Sequence, residues 1–390
     1  MPSPARCAES WAASARRREV TMPEKITPIV MPKWGLTMKE GTLSAWHVAE
    51  GQTISPGQEI MDVETDKIAN AVEAADGGLL RRRVAQVGQV YPVKSLLGVM
   101  APVDVPDAEI DAYVSGFKVP ISTSDEEEEA TVYRFVETPS GRIRYVQRSG
   151  DGAPILFVHG FGGDLNNWLF NIDALSGSGP VFALDLPGHG GSTKTVAKPG
   201  LEALAAAVAE FMDALKISAA HLVGHSMGGA VAGLVALQEP RLVRSLTLIS
   251  PAGLGQEINA RYIDGFVASE SRRDLKPVLQ YLFADADLVS RSMVEDLLKY
   301  KRLDGVQSAL RGLASALFKD GRQVRNLADD LGTLTLPIQI VWGAKDAIIP
   351  AAHAKALPTA RVEIIEAAGH MAQMEAAGRV NDLIKAQAAR

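Results

Sequence analysis

The sequence predicts two folded units of different class in one chain. A small all-β barrel or sandwich comes first, and a larger doubly wound α/β unit, a mostly parallel sheet with a helical cap, follows it. Three observations carry this expectation. The length, 390 residues, exceeds what one domain usually takes, ~100–200 residues each. Residues 24–103 are short strand-like runs, punctuated at close spacing by Gly35, Gly41, Gly51, Pro56-Gly57, Gly77-Gly78 and Gly88, which is the signature of a small β-only fold. Residues 132–390 alternate short apolar runs with helical patterns, as parallel strands joined by crossover helices do.

Composition narrows the function classes. The chain is 47% hydrophobic and 22% charged, with a net charge of −6. Wholesale disorder and fibrous repeats are therefore not expected, and no basic surplus exists to neutralise a nucleic-acid backbone. The single cysteine, Cys7, precludes an intrachain disulfide framework or a multi-cysteine metal cluster. No apolar run reaches the ~18–20 residues of a membrane span. The best candidate, Ala219 to Leu237, is broken by His221, His225, Ser226 and glycines. A cytoplasmic protein is expected, with no membrane partner.

Residues 1–23 are rich in Ala, Ser and Arg and lack the apolar centre of a secretory signal. Arg16 to Arg18 suit an organelle presequence, but Glu9 and Glu19 do not. A disordered extension, or a true start at Met22, is the expectation.

Within the small unit, Glu64-Thr65-Asp66-Lys67-Ile68-Ala69 lies between two strand-like runs. Lys67 is therefore expected at an exposed hairpin tip, where a long stem ends in an amine able to carry a group through an amide bond. From these residues alone, an ordinary solvated lysine stays open. The stretch MPKWGLTMKEGTLSAWHVAEGQTISPGQEIMDVETDKIANAVEA, however, resembles a lipoyl domain throughout. That resemblance implies lipoate on Lys67, placed there by a lipoate-attaching enzyme. Biotin-carrying relatives put Met on both sides of the lysine, where this chain has Asp66 and Ile68.

Residues 104–131 contain Pro and Ser and end in the acidic run Asp125 to Glu129. No helical period is evident there, and a solvated tether extended by like-charge repulsion is expected, with a reach of about 30 Å. A docking patch for a basic partner is the alternative.

In the large unit, ILFVHG, VFALDLPG, HLVGHS, SLTLIS, PIQIVWG and VEIIEAAGH read as buried strands. Residues 251–336 read as several helices without a strand between them, which fits a cap inserted over the carboxyl edge of the sheet. Gly224-His225-Ser226-Met227-Gly228 matches G-x-S-x-G directly between a strand and a helix. Glycines there permit the tight turn that presents the serine hydroxyl, and the helix N-terminus favours developing negative charge. Such a serine needs a base, and the base an orienting acid. Asp346 and His370 each follow a strand, at the edge where a doubly wound sheet builds its site. His353, on an expected helix, is the nearest rival to His370. The loop His159-Gly160-Phe161-Gly162-Gly163 should aim the Phe161 amide beside that of Met227, giving an oxyanion hole. Asp185 and His189 read as structural, and His225 as packing with its side chain pointing away.

Together these motifs make residues 132–390 resemble an α/β-hydrolase with a helical cap. Lipoyl domain, linker and α/β-hydrolase in one chain resemble the dihydrolipoamide acetyltransferase component of acetoin dehydrogenase complexes. That resemblance implies acetyl transfer from dihydrolipoyl-Lys67 to coenzyme A. It also implies a thiamine-diphosphate acetoin-cleaving component and a dihydrolipoyl dehydrogenase as partners, and a homo-oligomeric assembly is expected. Two features depart from ordinary dihydrolipoamide acyltransferases. No helical subunit-binding domain is legible in the linker, and no Asp-Gly pair has His four residues before the Asp, so the His-x-x-x-Asp-Gly site is missing. Transfer must then use Ser226, Asp346 and His370, through an acyl-serine or by direct attack of the CoA thiol. A lipoyl-linked hydrolase or thioesterase is the second expectation, and a non-enzymatic carrier on a hydrolase scaffold the third.

Overall fold

The computed structural model describes residues 25–34, 38–65, 69–117 and 133–390. Lys67 with its neighbours Asp66 and Ile68, residues 1–24 and the acidic run at 125–129 lie outside the described residues.

The small unit is two four-stranded sheets packed face to face. Strands β1 (Thr27–Val30), β8 (Leu96–Met100), β6 (Gly78–Arg83) and β3 (Thr53–Ile54) form one, in that order. Strands β5 (Ala69–Glu73), β4 (Glu59–Glu64), β2 (Glu40–Trp46) and β7 (Val90–Pro92) form the other. All pairs are antiparallel. Leu43, Ile54, Ile60, Met61, Val63, Leu80 and Leu97 fill the space between the sheets. Gly41 is required by this packing, since a Cβ there would lie 2.8 Å from Val63 Cγ1. Strands β4 and β5 pair Glu64 with Ala69, so Lys67 belongs to the short connection between them.

The tether needs correcting. Helix α1 (Asp107–Gly116) forms inside the stretch where no helix is expected. Ile110, Tyr113, Val114 and Phe117 recur at i, i+3, i+4 and i+7 and pack on Ile26, Leu96 and Val99 of the small unit. Arg81 and Arg82 of β6 add ion pairs to Asp107 and Asp111, at 2.8 Å and 2.9 Å. The stripe is one short face, diluted by acids and proline in a window dominated by charge.

The large unit has an eight-stranded sheet. Its order is β18 (Arg361–Ile365), β17 (Ile338–Gly343), β14 (Val243–Ile249), β13 (Ala220–His225), β11 (Ile155–Val158), β12 (Val181–Leu184), β10 (Gly141–Arg148), β9 (Arg134–Thr138). Pairing is parallel from β18 to β12 and antiparallel for β10 with both β12 and β9. Successive side chains alternate between two cores. Leu156, Val158, Leu222, Leu246 and Ile340 face α3 (Leu201–Ala214) and α4 (Met227–Gln238), whereas Phe157, Val223 and Val341 face α2 (Ile172–Leu175) and α11 (Ala377–Ala388). The doubly wound class expected from the runs is what forms. Between β14 and β17 lie α5 (Ala260–Ala268), α6 (Arg272–Leu279), α7 (Arg291–Lys301), α8 (Val306–Leu317), the two-residue strands β15 (Phe318–Lys319) and β16 (Arg322–Gln323), and α9 (Ala328–Leu331). No helix among the described residues is long and apolar enough to cross a membrane.

Candidate active site

Ser226 sits between β13 and α4 with φ 54° and ψ −120°, outside the helical and extended regions. Backbone strain of this kind persists only where packing over-determines it, and here glycines make the turn possible. A Cβ on Gly224 would lie 2.3 Å from the Gly228 carbonyl oxygen, and one on Gly228 would lie 2.2 Å from that of Val158. The G-x-S-x-G spacing is thus a packing requirement of β11, β13 and α4. On the other side of the serine, a Cβ on Gly160 would come within 3.0 Å of Ser226 Cβ.

The structure brings His370 and Asp346 together. His370 Nδ1 and Asp346 Oδ2 are 2.8 Å apart, and both side chains are essentially buried, at 2% and 0% exposure. The other oxygen of Asp346 accepts the Ile348 and Ile349 amides at 2.8 Å and 3.0 Å, and Oδ2 also accepts Trp342 Nε1–H at 2.9 Å. Burial alone would push this carboxyl up. The neighbouring His370 and the two backbone amides outweigh it and hold Asp346 below the usual carboxylate range.

Ser226 and His370 line one pocket, with about 200 Å³ of space. Among the described residues no hydrogen bond joins Ser226 Oγ to His370. Bonds of this kind commonly close only with substrate in place. The Phe161 amide, on the same pocket wall, has no acceptor among the described residues. Met227 opens α4, so its amide has no acceptor one turn back. Gly163 N–H donates to the Gly160 carbonyl at 3.1 Å, closing the loop that carries Phe161. Beneath it the buried His159 ring bonds the Gly160 carbonyl through Nδ1 at 2.8 Å and accepts the Leu186 amide at 3.0 Å. Asp185 accepts the Leu165 and Gly191 amides and pairs with Arg144.

The rival His353 bonds Glu257 at 2.7 Å and does not line the pocket. His225 departs from expectation. The residue lines the pocket, and its ring packs against that of His370 instead of pointing away. Sequence reasoning missed it because an i−1 neighbour of the serine should alternate to the other face of a regular strand, and the positive φ of Ser226 breaks that alternation. Glu375 was missed as well. Its carboxylate accepts the Ala284 amide at 2.6 Å and the Gly369 amide at 2.8 Å, joining the helical cap to the His370 loop. The rest of the pocket is mostly apolar, formed largely by Tyr262, Phe266, Leu279, Phe283 and Leu297 from the cap and by Met371 and Met374, with Asp164, Asn166, Asn167 and Asp296 as polar exceptions.

Residues 153–377 match the family described as alpha/beta hydrolase fold, and residues 27–100 match the biotin/lipoyl family described as biotin-requiring enzyme. Among solved structures, a meta-cleavage product hydrolase from Pseudomonas fluorescens superposes with a TM-score of 0.60 at 22% identity, over 65% of this chain and 96% of that one. That likeness speaks for the fold alone. A relative that spans both units decides the family. The dihydrolipoyllysine-residue acetyltransferase component of the acetoin cleaving system of Cupriavidus necator is 54% identical over 361 residues, 92% of this chain and 96% of the relative. The chain belongs to this acetyltransferase family. A second member, from Pseudomonas putida, is 48% identical over 92% of this chain and 97% of its own length. In this family the lipoyl unit and the hydrolase unit therefore occur as one continuous polypeptide, and the chain spans nearly the whole of both relatives.

Proposed function

We propose that the chain moves an acetyl group from dihydrolipoyl-Lys67 to coenzyme A within an acetoin-cleaving multienzyme system, using Ser226, His370 and Asp346. One observation carries this reading: a carrier domain and a buried Asp346–His370 pair beside an elbow serine are joined in one polypeptide that aligns over 92% of its length with an acetyltransferase component. The lipoyl group, when attached, supplies a thiol that carries acetyl as a thioester. The short β4–β5 connection that contains Lys67 fits such an attachment.

His370 takes the Ser226 hydroxyl proton while Oγ attacks the thioester carbonyl carbon. The Phe161 and Met227 amides hold the carbonyl oxygen as it gains charge, an interaction worth ~3–4 kcal/mol per donor in comparable sites. The C–S bond breaks, and His370 returns its proton to the departing thiolate. His370 then takes the proton of the CoA thiol, whose sulfur attacks the acetyl-serine. Acetyl-CoA leaves, and the proton passes back to Ser226 Oγ. Asp346 keeps His370 Nδ1 protonated and stabilises the imidazolium formed at each step. The apolar cap side chains keep water away from the acetyl-serine.

Domain limits follow from this reading: a lipoyl unit extended by α1, a connection, and a hydrolase unit whose helices between β14 and β17 form a cap. The partners would be a thiamine-diphosphate component that loads acetyl on the carrier, and a dihydrolipoyl dehydrogenase that reoxidises the released dithiol. A coenzyme A acceptor supports a cytoplasmic location for the reaction.

The test is product analysis with acetyl-dihydrolipoamide and the purified chain, with and without CoA. Acetyl-CoA formation that needs Ser226 is the expected result. Acetate released at the same rate whether or not CoA is present would replace the transferase with a thioesterase.

A further inference from the structure

One aromatic side chain belongs to two cores. Trp34, on the lipoyl unit, packs against the interior residues of its own sandwich and also against the core of the hydrolase unit. Its ring meets Phe170 edge-on, with centroids 5.3 Å apart and planes at 78°, a geometry that aromatic pairs favour. Phe170 follows Leu169, which lines the Ser226 pocket. The Phe170 carbonyl accepts Asn381 Nδ2–H at 3.0 Å, which fixes it to α11.

A second contact sits on the same face. Glu73, the last residue of β5, lies against Gly378 near the start of α11, where a Cβ would come within 2.5 Å of Glu73 Oε2. The Glu73 side chain stays largely exposed, and its carboxyl is pushed up by partial desolvation and by the nearby Glu59 and Asp382. Strand β5 begins at Ala69, two residues beyond Lys67 in the chain. The strand of the lipoyl unit that meets the hydrolase unit is therefore the one that follows its lysine in the chain, with Glu73 at its far end. The surface it meets adjoins the pocket along the chain: Leu169 directly precedes Phe170, and Met371 and Met374, which also line the pocket, precede Gly378.

We infer that the surface around Phe170 and Gly378 is a docking face for the chain's own lipoyl domain, seated through Trp34 so that the carrier is held beside the Ser226 pocket of the same polypeptide. This rests on the transferase reading for its purpose, but not for its geometry. Among the described residues the contacts named across this face are one indole edge and one carboxylate, as suits a carrier that must also leave.

Two measurements on the full lipoylated chain separate the docking face from the chemistry. The first compares acetyl transfer to CoA from the attached carrier, in a single turnover, with transfer from free acetyl-dihydrolipoamide. Trp34→Ala and, from the opposite side, Gly378→Asp should each slow attached transfer at least ten-fold and change the free-substrate rate less than two-fold, with lipoylation verified by intact mass. Trp34→Phe should recover most of the loss. Attached transfer that is unchanged in both variants, or a free-substrate rate that falls equally, overturns the docking face. The second measurement does not need activity. E73C with G378C, in a C7S background, should be joined by a short bis-maleimide within one chain, giving a monomer on a denaturing gel. Absence of the link, or a link only between two chains, overturns docking within one polypeptide. A link within one chain, together with no acetyl-CoA from either substrate, leaves the docking face standing and removes the transferase.

Discussion

His225 donates Nε2–H to the main-chain carbonyl of His370 at 2.9 Å, and the two imidazoles lie 4.7 Å apart at 58°. A carbonyl only accepts, so His225 must be the Nε2–H tautomer, and its buried Nδ1 has no partner among the described residues. Burial and the adjacent His370 lower its pKa to about 3. The unfolded ring takes up a proton near pH 6.5, whereas the folded ring stays neutral until about pH 3. The stability this provides is present above pH 6.5 and is lost as pH falls through that window, by up to ~1.4 kcal/mol per pH unit. His225→Gln keeps a donor near the Nε2 position and removes the titration. Its unfolding free energy, from urea melts at pH 6.5 and 4.5, should fall less steeply than that of the unmodified chain. Parallel curves would refute the assignment.

Asp346→Asn should lower acetyl-CoA formation by ~10³–10⁴-fold while leaving the melting temperature within a few degrees. The amide keeps an acceptor for the Ile348 and Ile349 amides but no longer stabilises a charged His370. A ten-fold effect or less would mean that His370 is not the base.

Glu375→Gln tests the strap between cap and His370 loop. A carboxylate accepts both the Ala284 and Gly369 amides, whereas a carboxamide offers one oxygen and turns its own N–H groups toward the other donor. A loss of about 1–3 kcal/mol is expected. Water should reach the acetyl-serine more often, so the ratio of acetate to acetyl-CoA should rise several-fold. An unaltered product ratio would show that the strap does not control water.

Gly224→Ala should cost at least ~3 kcal/mol or abolish soluble expression, because its methyl would meet the Gly228 carbonyl oxygen at 2.3 Å and the Gly229 Cα at 2.7 Å, backbone atoms that cannot rotate away. A variant that melts normally would show that the turn can widen.

Lys67→Arg keeps the positive charge and removes the acylable amine. Intact mass should show no lipoyl increment after growth with lipoate, and transfer from free acetyl-dihydrolipoamide should continue. A retained increment would move the attachment elsewhere.

The fold was legible because each unit speaks in an unambiguous period. Turn glycines every few residues mark the sandwich, and ILFV and VFAL are apolar on both faces because the sheet is covered on both. Ser226, Asp346 and His370 were legible because each follows such a strand at the same sheet edge. Residues whose work depends on the tertiary path were not. Glu375 sits in an unremarkable Gln-Met-Glu run, and its two amide partners come from a loop and from the cap. Trp34 reads as one more apolar residue of the small unit, and nothing local announces Phe170, 136 positions later (170 − 34). Helix α1 was hidden by charge, although its four apolar positions are correctly spaced.

Helix α1 also sets how crowded the pocket mouth is. By fastening residues 107–117 to the lipoyl unit, it leaves only residues 118–132 to join the two units, where the whole of 104–131 was expected to do so. A connection of that length spans at most about 50 Å. One carrier within a sphere of that radius is present at a local concentration on the order of 3 mM. A docking contact with millimolar affinity is then occupied about half the time, and one indole edge is enough. Each tenfold gain in affinity would cost the carrier most of its free time, in which it has to visit the enzymes that load and reoxidise it.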